Sequence, residues 1–225
     1  MPSIVMKAPA DSLIEQTNRL ILARQITYAK KLEMPWGISE SAYNERDLEL
    51  TYQYSNFGVP GLGLKRGLAD STVIAPYATA LACMVDARVA LLNFGRLESL
   101  GARGRYGFYE ALDFTPTRVP AGERAAVVRA FMAHHQGMSI CAIADVLFEG
   151  RMRDRFHAEP IVQATELLLQ ERVPREVAEA PPPVSETTSA AHVRDVDSSG
   201  TWRTASPYTA TPATQLLSNS RYMMM

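Results

Sequence analysis

Residues 12–33 read SLIEQTNRLILARQITYAKKLE, which is the pattern of an amphipathic helix. Ser12 and Glu15 have the spacing of a capping box, in which each residue's side chain bonds a free amide of the first turn. Pro35 disfavours helical geometry in the residue before it, so the helix should end near Glu33. We predict one helix here, whose apolar face is formed at the helical period by Leu13, Ile14, Thr17, Leu20, Ile21 and Tyr28.

The same period and the same start signals recur along the chain and predict further helices. Pro76 suits the first turn of a helix, and Asp86 is a candidate N-cap. Two short segments with strand composition, 51–54 and 106–109, are flanked by turn residues, and we interpret them as extended loop pieces. The predicted fold class is therefore all-α with long ordered loops, and the further helices span about 75–85, 86–101, 120–134, 137–148, 151–156 and 160–171.

The composition excludes several classes of protein. The chain has 225 residues, 47% of them hydrophobic, with 23 basic and 24 acidic side chains. A net charge near zero gives no general electrostatic attraction to nucleic acid, which needs a basic excess. Two cysteines cannot build a disulfide-dense scaffold. No apolar run approaches the roughly 20 residues of a membrane-spanning helix, so no transmembrane segment is predicted.

A change of composition divides the chain. Up to about residue 175, apolar periodic segments alternate with loops that contain Gly, Tyr and Pro. Residues 176–208 contain the run Pro181–Pro183 and many Ser, Thr and Ala, and they cannot bury enough apolar surface to offset their ordering entropy. We predict a domain over 1–175, a disordered linker over 176–208, and the start of another module over 209–225.

Two loops each place a carboxylate among aromatic and small residues. They are 35–44, which contains Glu40, and 104–113, which contains Glu110. Aromatic faces can stack on sugar rings, and a carboxyl group in an apolar wall can hold a proton for donation. Glycoside chemistry needs two such carboxylates. The alternative is that both are exposed loop carboxylates without a chemical role.

The remaining motifs give weaker signals. The loop 57–67, FGVPGLGLKRG, lacks the spacing of a phosphate-binding P-loop, and its glycines suit a tight turn. Adjacent histidines in a helix diverge by about 100°, so His134 and His135 do not form a metal pair, and no metal site is predicted. We expect one histidine at a helix end to face a polar pocket. Cys83 and Cys141 are predicted to be core thiols.

Taken together, the motifs resemble the glucoamylase-like central domain of cyclic β-1,2-glucan synthases. The resemblance extends over about residues 1–175, in order and without large gaps. A segment near the end, 214–222 TQLLSNSRY, resembles the start of the phosphorylase-like module that follows this domain. The motifs that carry the resemblance are 35–44 PWGISESAYN, 52–54 YQY with 57–67 FGVPGLGLKRG, 106–111 YGFYEA, 131–139 FMAHHQGMS and 164–172 ATELLLQER.

The resemblance implies the later half of an (α/α)6 toroid. It implies retaining transglycosylation that cyclises linear β-1,2-glucan, without a cofactor, inside a very large inner-membrane enzyme whose soluble segment lies on the cytoplasmic side. The partners would be the glucan and the other modules of that enzyme. The chain would be truncated at both ends, and half a toroid would expose apolar helix faces and self-associate. The alternative is a non-catalytic glucan-binding or scaffold piece between catalytic modules.

The resemblance also implies roles for individual residues. Glu40 and Glu110 are the predicted catalytic carboxylates, with Glu110 preferred as acid/base, and Asp70 and Asp113 are the substitutes. The predicted substrate-binding residues would stack on or hydrogen-bond glucose units, and they are Trp36, Tyr43, Tyr54, Lys65, Arg66, Asp70, Tyr106, Tyr109, His134 and Gln136.

Overall fold

The computed structural model describes residues 2–172 and two short strands further along the chain. The chain divides into two units, Met1–Val184 and Ser185–Met225. In the second unit, β8 (Leu217–Ser218) pairs antiparallel with β9 (Met223–Met224). The predicted linker over 176–208 lies outside the described residues, as does most of the predicted module over 209–225.

The described part of the first unit contains six α-helices, and two of them begin with the predicted caps. The Ser12 hydroxyl accepts a hydrogen bond from the Glu15 amide at 3.3 Å, and the Asp86 carboxylate accepts one from the Val89 amide at 3.0 Å. Short 3-10 turns span Pro2–Ile4, Leu68–Asp70 and Glu166–Gln170. The helices are α1 (Leu13–Lys31), α2 (Pro76–Ala82), α3 (Ala87–Ser99), α4 (Ala133–Leu147), α5 (Arg151–His157) and α6 (Pro160–Thr165).

Seven short strands in the described part of this unit show that the fold is not purely all-α. The segments predicted to be loop pieces are hairpin strands instead, in the pairs β1–β2 and β4–β5. A three-stranded antiparallel sheet has the order β3-β6-β7. The strands are β1 (Ser41–Arg46), β2 (Tyr52–Ser55), β3 (Val73–Ile74), β4 (Arg103–Gly104), β5 (Gly107–Phe108), β6 (Ala111–Asp113) and β7 (Ala126–Val128).

The helix predicted over 120–134 is wrong. Its middle is strand β7, whose residues pair with β6, and helix α4 begins only at Ala133. The β-branched pair Val127–Val128 fits a pleated surface better than a helix, and pairing with β6 satisfies the backbone there. The helix predicted to begin at Gly137 therefore begins one turn earlier and includes both adjacent histidines.

The small sheet packs on both faces. Ile74 and Leu112, which are opposite each other in the register, belong to one buried cluster with Leu97 and Ile38. Ala111 and Val128, also opposite each other, belong to a second cluster. Successive side chains of a strand point to opposite faces, so both clusters are built on β6. Packing on both faces thereby fixes the position and register of β6. It also fixes Glu110, just before the strand, and Asp113, at its end.

Helix α1 buries a face that matches the predicted one only in part. Of the predicted residues, Tyr28 packs against the cluster of Ile74 and Leu112. Leu20 is 68% exposed, whereas Leu22, Ile26 and Ala29 pack with Trp36 and Ala90 in a third cluster. Their spacing of four and three residues is that of a single helix face. In the described part of the chain, no helix is long and apolar enough to cross a membrane.

Candidate active site

Glu110 lies directly before the central strand β6 and is only 2% exposed. Its amide donates to the Ala130 carbonyl at 3.0 Å, which fixes the backbone at the strand entrance. Oε1 accepts a hydrogen bond from the Ala42 amide at 3.3 Å and lies 2.7 Å from His135 Nδ1. Oε2 is buried and has no hydrogen-bond partner in the part of the chain that the structure describes. Oε1 of Glu110 is therefore fixed by its two partners, whereas Oε2 forms no hydrogen bond with the described residues.

His135 is the third residue of α4 and is buried against two tyrosine rings. The Tyr77 ring stacks on the imidazole at 3.8 Å between centroids and 10° between planes. The Tyr54 ring lies 6.1 Å away, and its hydroxyl is 3.3 Å from His135 Nε2. Burial lowers the pKa of His135 from its ordinary value, and the neighbouring charge of Glu110 opposes this shift. Burial therefore favours the neutral imidazole.

Glu40 and Glu110 are far apart in the sequence, but both affect the pKa of the Tyr54 hydroxyl. Burial raises the pKa of Tyr54, and the charges of Glu40 and Glu110 raise it further. Burial raises the pKa of Tyr77 to about 12, although the hydrogen bond from Ser39 opposes the shift. The Tyr77 hydroxyl and the Ser39 hydroxyl are 2.6 Å apart, so the residue before Glu40 is tied to this cluster. Glu40 itself is exposed.

A cleft of about 690 Å³ borders Glu110. Its polar residues include Tyr77, Tyr109, His135 and Gln136, so it contains two predicted binding residues. The Gln136 amide donates to the Phe108 carbonyl at 3.4 Å, and the Tyr109 ring packs on Phe131. The rest of the lining is mostly apolar and comes from helices α3 and α4, with Leu91, Phe94, Ile140, Ile143, Val146 and Leu147.

The other predicted binding residues divide into three places. His134 is exposed, with Nε2 3.5 Å from the Tyr54 hydroxyl, so it borders the same cluster as Glu110. Tyr43 and Lys65 line a separate cleft of about 140 Å³. Three more are exposed on loops, at positions that the structure does not connect with Glu110, and they are Arg66, Asp70 and Tyr106.

Trp36 belongs to the core. It is 4% exposed and packs with Ala29 and Ala90. The side chain of Asn93 bonds both the amide and the carbonyl of Trp36, at 3.2 and 2.8 Å. The prediction that Trp36 stacks on glucose is corrected, because its ring is enclosed by neighbouring side chains.

Asp113, a predicted substitute for the catalytic carboxylates, is fully occupied in a structural cluster. The Arg118 guanidinium donates to both of its oxygens, at 2.7 and 3.2 Å. The amides of Asn44 and Thr115 donate at 3.1 and 2.9 Å. Because Asn44 lies in β1 and Asp113 ends β6, this cluster joins the strand that follows Glu40 to the strand that follows Glu110.

The two cysteines differ in burial. Cys83 is half-buried, and burial raises the pKa of its thiol. Cys141 is exposed, so the prediction that both cysteines are core thiols is wrong for Cys141. Within the described residues, no three His, Cys, Asp or Glu side chains are grouped to hold a metal ion.

Sequence reasoning missed three members of this cluster, Ser39, Tyr77 and His135. The signal for His135 was available in the helical period. It lies seven residues before Ala142 and ten before Asp145, and these three are the buried residues of α4. With the helix start placed at Gly137, that period did not include His135. Tyr77 and Ser39 carried no signal, because their contact joins residues 38 positions apart.

A family model and a curated protein sequence both match this chain over most of its length. The family model Glycoamylase, described as "Putative glucoamylase", matches residues 11–160. The cyclic beta-(1,2)-glucan synthase NdvB of Rhizobium meliloti (strain 1021) is 56% identical over 177 residues, which are 79% of this chain and 6% of that protein. This chain therefore spans a small part of the length of that relative.

Solved structures were also found. An endo-beta-1,2-glucanase from Chitinophaga pinensis, in complex with sophorotriose and glucose, aligns with a TM-score of 0.46 and 18% identity, covering 68% of this chain and 34% of that chain. A beta-1,2-glucanase from Parabacteroides distasonis aligns with a TM-score of 0.42 and 20% identity, covering 68% of this chain and 19% of that chain.

Proposed function

The chain belongs to the Glycoamylase family, and from that membership we propose that it is the glucoamylase-like part of a cyclic β-1,2-glucan synthase. The proposed reaction is retaining transglycosylation of linear β-1,2-glucan, which closes the chain into a ring, or hydrolysis when water is the acceptor. The 56% identity to the named synthase supports the choice of glucan. The near-zero net charge is compatible with a neutral polymer.

The observation that carries the proposal is the pair of glutamates around one aromatic cluster. Glu110 lies 2.7 Å from His135, His135 stacks on Tyr77, and the Tyr77 hydroxyl is 2.6 Å from the hydroxyl of Ser39, the residue before Glu40. Retaining glycosyl transfer uses two carboxyl groups, one as nucleophile and one as acid/base. We assign acid/base to Glu110, because a carboxyl group that is only 2% exposed is shielded from water. Glu40 is then the nucleophile.

Glu40 and Glu110 can account for every bond and proton in the proposed two-step transfer. The Glu40 carboxylate attacks the anomeric carbon, and the bond from that carbon to the glycosidic oxygen breaks. Glu110 gives its proton to the departing oxygen. In the second step a 2-hydroxyl of the glucan attacks the same carbon, releases Glu40 and returns a proton to Glu110. In this proposal Tyr54, Tyr109 and Gln136 contact the sugar units.

The test is conversion of linear β-1,2-glucan by the 225-residue chain, with products separated by chromatography and identified by mass. We expect cyclic or shortened glucans from the unchanged chain and a loss of about 10³-fold or more in Glu110→Gln and Glu40→Gln. Glu123→Gln, an exposed loop carboxylate, is the matched control and should keep full activity. Activity retained in Glu110→Gln would refute the assignment.

The second candidate is a non-catalytic glucan-binding piece. Its specific support is the 2% exposure of Glu110, because glucan can touch this carboxyl group only if covering side chains move. Binding of linear β-1,2-glucan, measured by calorimetry, without any product would favour this candidate over catalysis. Absence of both binding and product would refute both candidates.

The wider context is part of the same proposal. We place residues 1–175 in the later half of an (α/α)6 toroid, 176–208 in a linker and 209–225 at the start of a phosphorylase-like module. The parent enzyme would be anchored in the inner membrane, with this segment on its cytoplasmic side and the other modules as partners. Support comes from the order of the sequence motifs and from the small share of the relative that this chain spans.

A further inference from the structure

His135 is the one side chain that hydrogen-bonds Glu110 within the described residues. One face of its ring and both of its ring nitrogens have partners in the structure. Tyr77 stacks on one face at 3.8 Å, the Tyr54 hydroxyl reaches Nε2 at 3.3 Å, and Nδ1 lies 2.7 Å from Glu110 Oε1. The ring is 1% exposed. Such a histidine cannot change its orientation without breaking the whole cluster.

The partners of the ring determine where its proton lies. A neutral imidazole has one N–H and one acceptor nitrogen. A carboxylate oxygen only accepts, so Nδ1 must carry the hydrogen that Oε1 receives. Nε2 is then the acceptor, and the Tyr54 hydroxyl donates to it. This chain of hydrogen bonds runs in one direction, from Tyr54 through His135 to Oε1 of Glu110.

We propose that His135 is a positioning residue that occupies Oε1 of Glu110 and thereby makes Oε2 the oxygen that exchanges a proton with the glucan. The inference rests on the proposed function, in which Glu110 is the acid/base. Oε1 already accepts from His135 and from the Ala42 amide, so its lone pairs are used. Oε2 has no partner in the described part of the chain and is buried, so it meets the glucan when the side chains that cover Glu110 move. Its proton goes to the departing glycosidic oxygen, and the proton of the incoming hydroxyl returns to it.

Burial favours the required neutral form of His135, against the opposing charges of Glu110 and Glu40. Burial lowers the pKa of His135, which favours the neutral imidazole. A neutral ring has a single hydrogen to place, whereas an imidazolium would donate from both nitrogens and lose the bond from Tyr54. The groups that act on the ring are Glu110 before β6, Glu40 before β1, Tyr54 in β2, Tyr77 in α2 and His134 in α4.

The first experiment measures the tautomer of His135 directly. In the 15N-labelled 225-residue chain at pH 7, the nitrogen shifts of His135 should show hydrogen on Nδ1 and none on Nε2. The opposite tautomer, or an imidazolium, would overturn the proposal. The measurement uses the unchanged chain and needs no glucan, so it judges this inference independently of the proposed function.

The second experiment separates positioning from packing. His135→Phe keeps a ring for Tyr77 to stack on but has no donor, and we expect kcat for linear β-1,2-glucan to fall about 100-fold with KM changed less than about threefold. His135→Asn places an amide N–H near the position of Nδ1 and should retain kcat within about tenfold of the unchanged chain. Equal losses in both variants, or unchanged kcat in His135→Phe, would refute the positioning role.

His157 provides a matched control. It is also a buried histidine with a glutamate partner, Glu166 at 3.0 Å, but it lies outside the cluster around Glu110. His157→Phe should lower the melting temperature without changing kcat. If Glu110→Gln retains activity, the proposed function fails, whereas activity lost in Glu110→Gln but kept in His135→Phe defeats only this inference.

Discussion

Arg118→Met should destabilise the protein strongly, because it leaves the Asp113 carboxylate buried without its partner charge. Asp113 is 0% exposed, and Arg118 donates to both of its oxygens. The same guanidinium also donates to the hydroxyls of Thr115 and Ser71, at 2.7 and 3.3 Å. After the substitution, Asp113 retains only the amides of Asn44 and Thr115.

The magnitude follows from that arrangement. Removing one partner of a buried ion pair costs about 3–5 kcal/mol, because the remaining charge is uncompensated. Arg118 is partly exposed, so water can reach the vacated position, and we expect about 3 kcal/mol. With a urea m-value of about 2 kcal/mol/M, the unfolding midpoint should fall by about 1.5 M.

Urea unfolding followed by fluorescence measures this effect, because Trp36 is buried in the core and reports its loss. Arg88→Met is the control. It removes an exposed arginine of α3 and should change the free energy of unfolding by less than about 0.5 kcal/mol. A loss below about 1 kcal/mol in Arg118→Met would refute the reasoning. Because the cluster joins β1 to β6, conversion of glucan should fall even where the variant remains folded.

Three further predictions concern pH, association and backbone. Burial lowers the pKa of His135, so its folded state binds a proton less readily than the unfolded chain, and stability should be complete above about pH 6.5 and fall below it, by at most about 1.4 kcal/mol per pH unit. Urea midpoints measured from pH 8 to 5 should show this fall, and it should disappear in His135→Asn. Ile140 and Leu147 are large exposed side chains on α4, so sedimentation velocity should detect concentration-dependent association that weakens when both are changed to Ser. An unchanged sedimentation pattern would exclude this surface. Gly37 has φ +121°, and a Cβ there would lie 3.3 Å from the Ala75 carbonyl oxygen, so Gly37→Ala should lower thermal stability by about 1 kcal/mol or more. Gly137→Ala, in helix α4 with open space around it, should instead raise stability by about 0.5–1 kcal/mol.

The helices that could be predicted from the sequence are those whose ends are determined by neighbouring residues. Ser12 and Asp86 cap α1 and α3 as expected, because a cap bonds an amide three residues away. The buried face of α1 could not be read in the same way. Leu20 and Leu22 are both apolar, and only the position of Trp36 and α3 determines which of them is covered.

The strands could not be predicted because they are short and their partners are distant. Strands β3 and β7 have two and three residues, too few to show an alternating pattern. Their pairing with β6 joins residues 40 and 15 positions apart, namely Val73 with Asp113 and Leu112 with Val127. Long-range pairing of this kind overrides the local preference, which was interpreted as helix over 120–134.

The tetrapeptide 110–113, Glu-Ala-Leu-Asp, shows what the structure adds to residue types. Its two acidic side chains are both buried and lie three positions apart, so residue type and burial alone do not separate them. The two carboxylates differ in the number of N–H groups that donate hydrogen bonds to them. Four N–H groups bond the two oxygens of Asp113, whereas Glu110 receives two, both on Oε1.

A buried oxygen without a partner costs about 1–3 kcal/mol, and folded proteins retain few of them. Substitution should therefore have opposite signatures at these two positions. Asp113→Asn would weaken the Arg118 cluster and lower stability, whereas Glu110→Gln would leave stability near its original value or raise it, because Gln removes the buried negative charge while its oxygen still accepts from His135 and the Ala42 amide. If Glu110→Gln instead destabilised the protein as much as Asp113→Asn, Glu110 would be a structural carboxylate, and the glycosyl-transfer assignment would lose its physical basis.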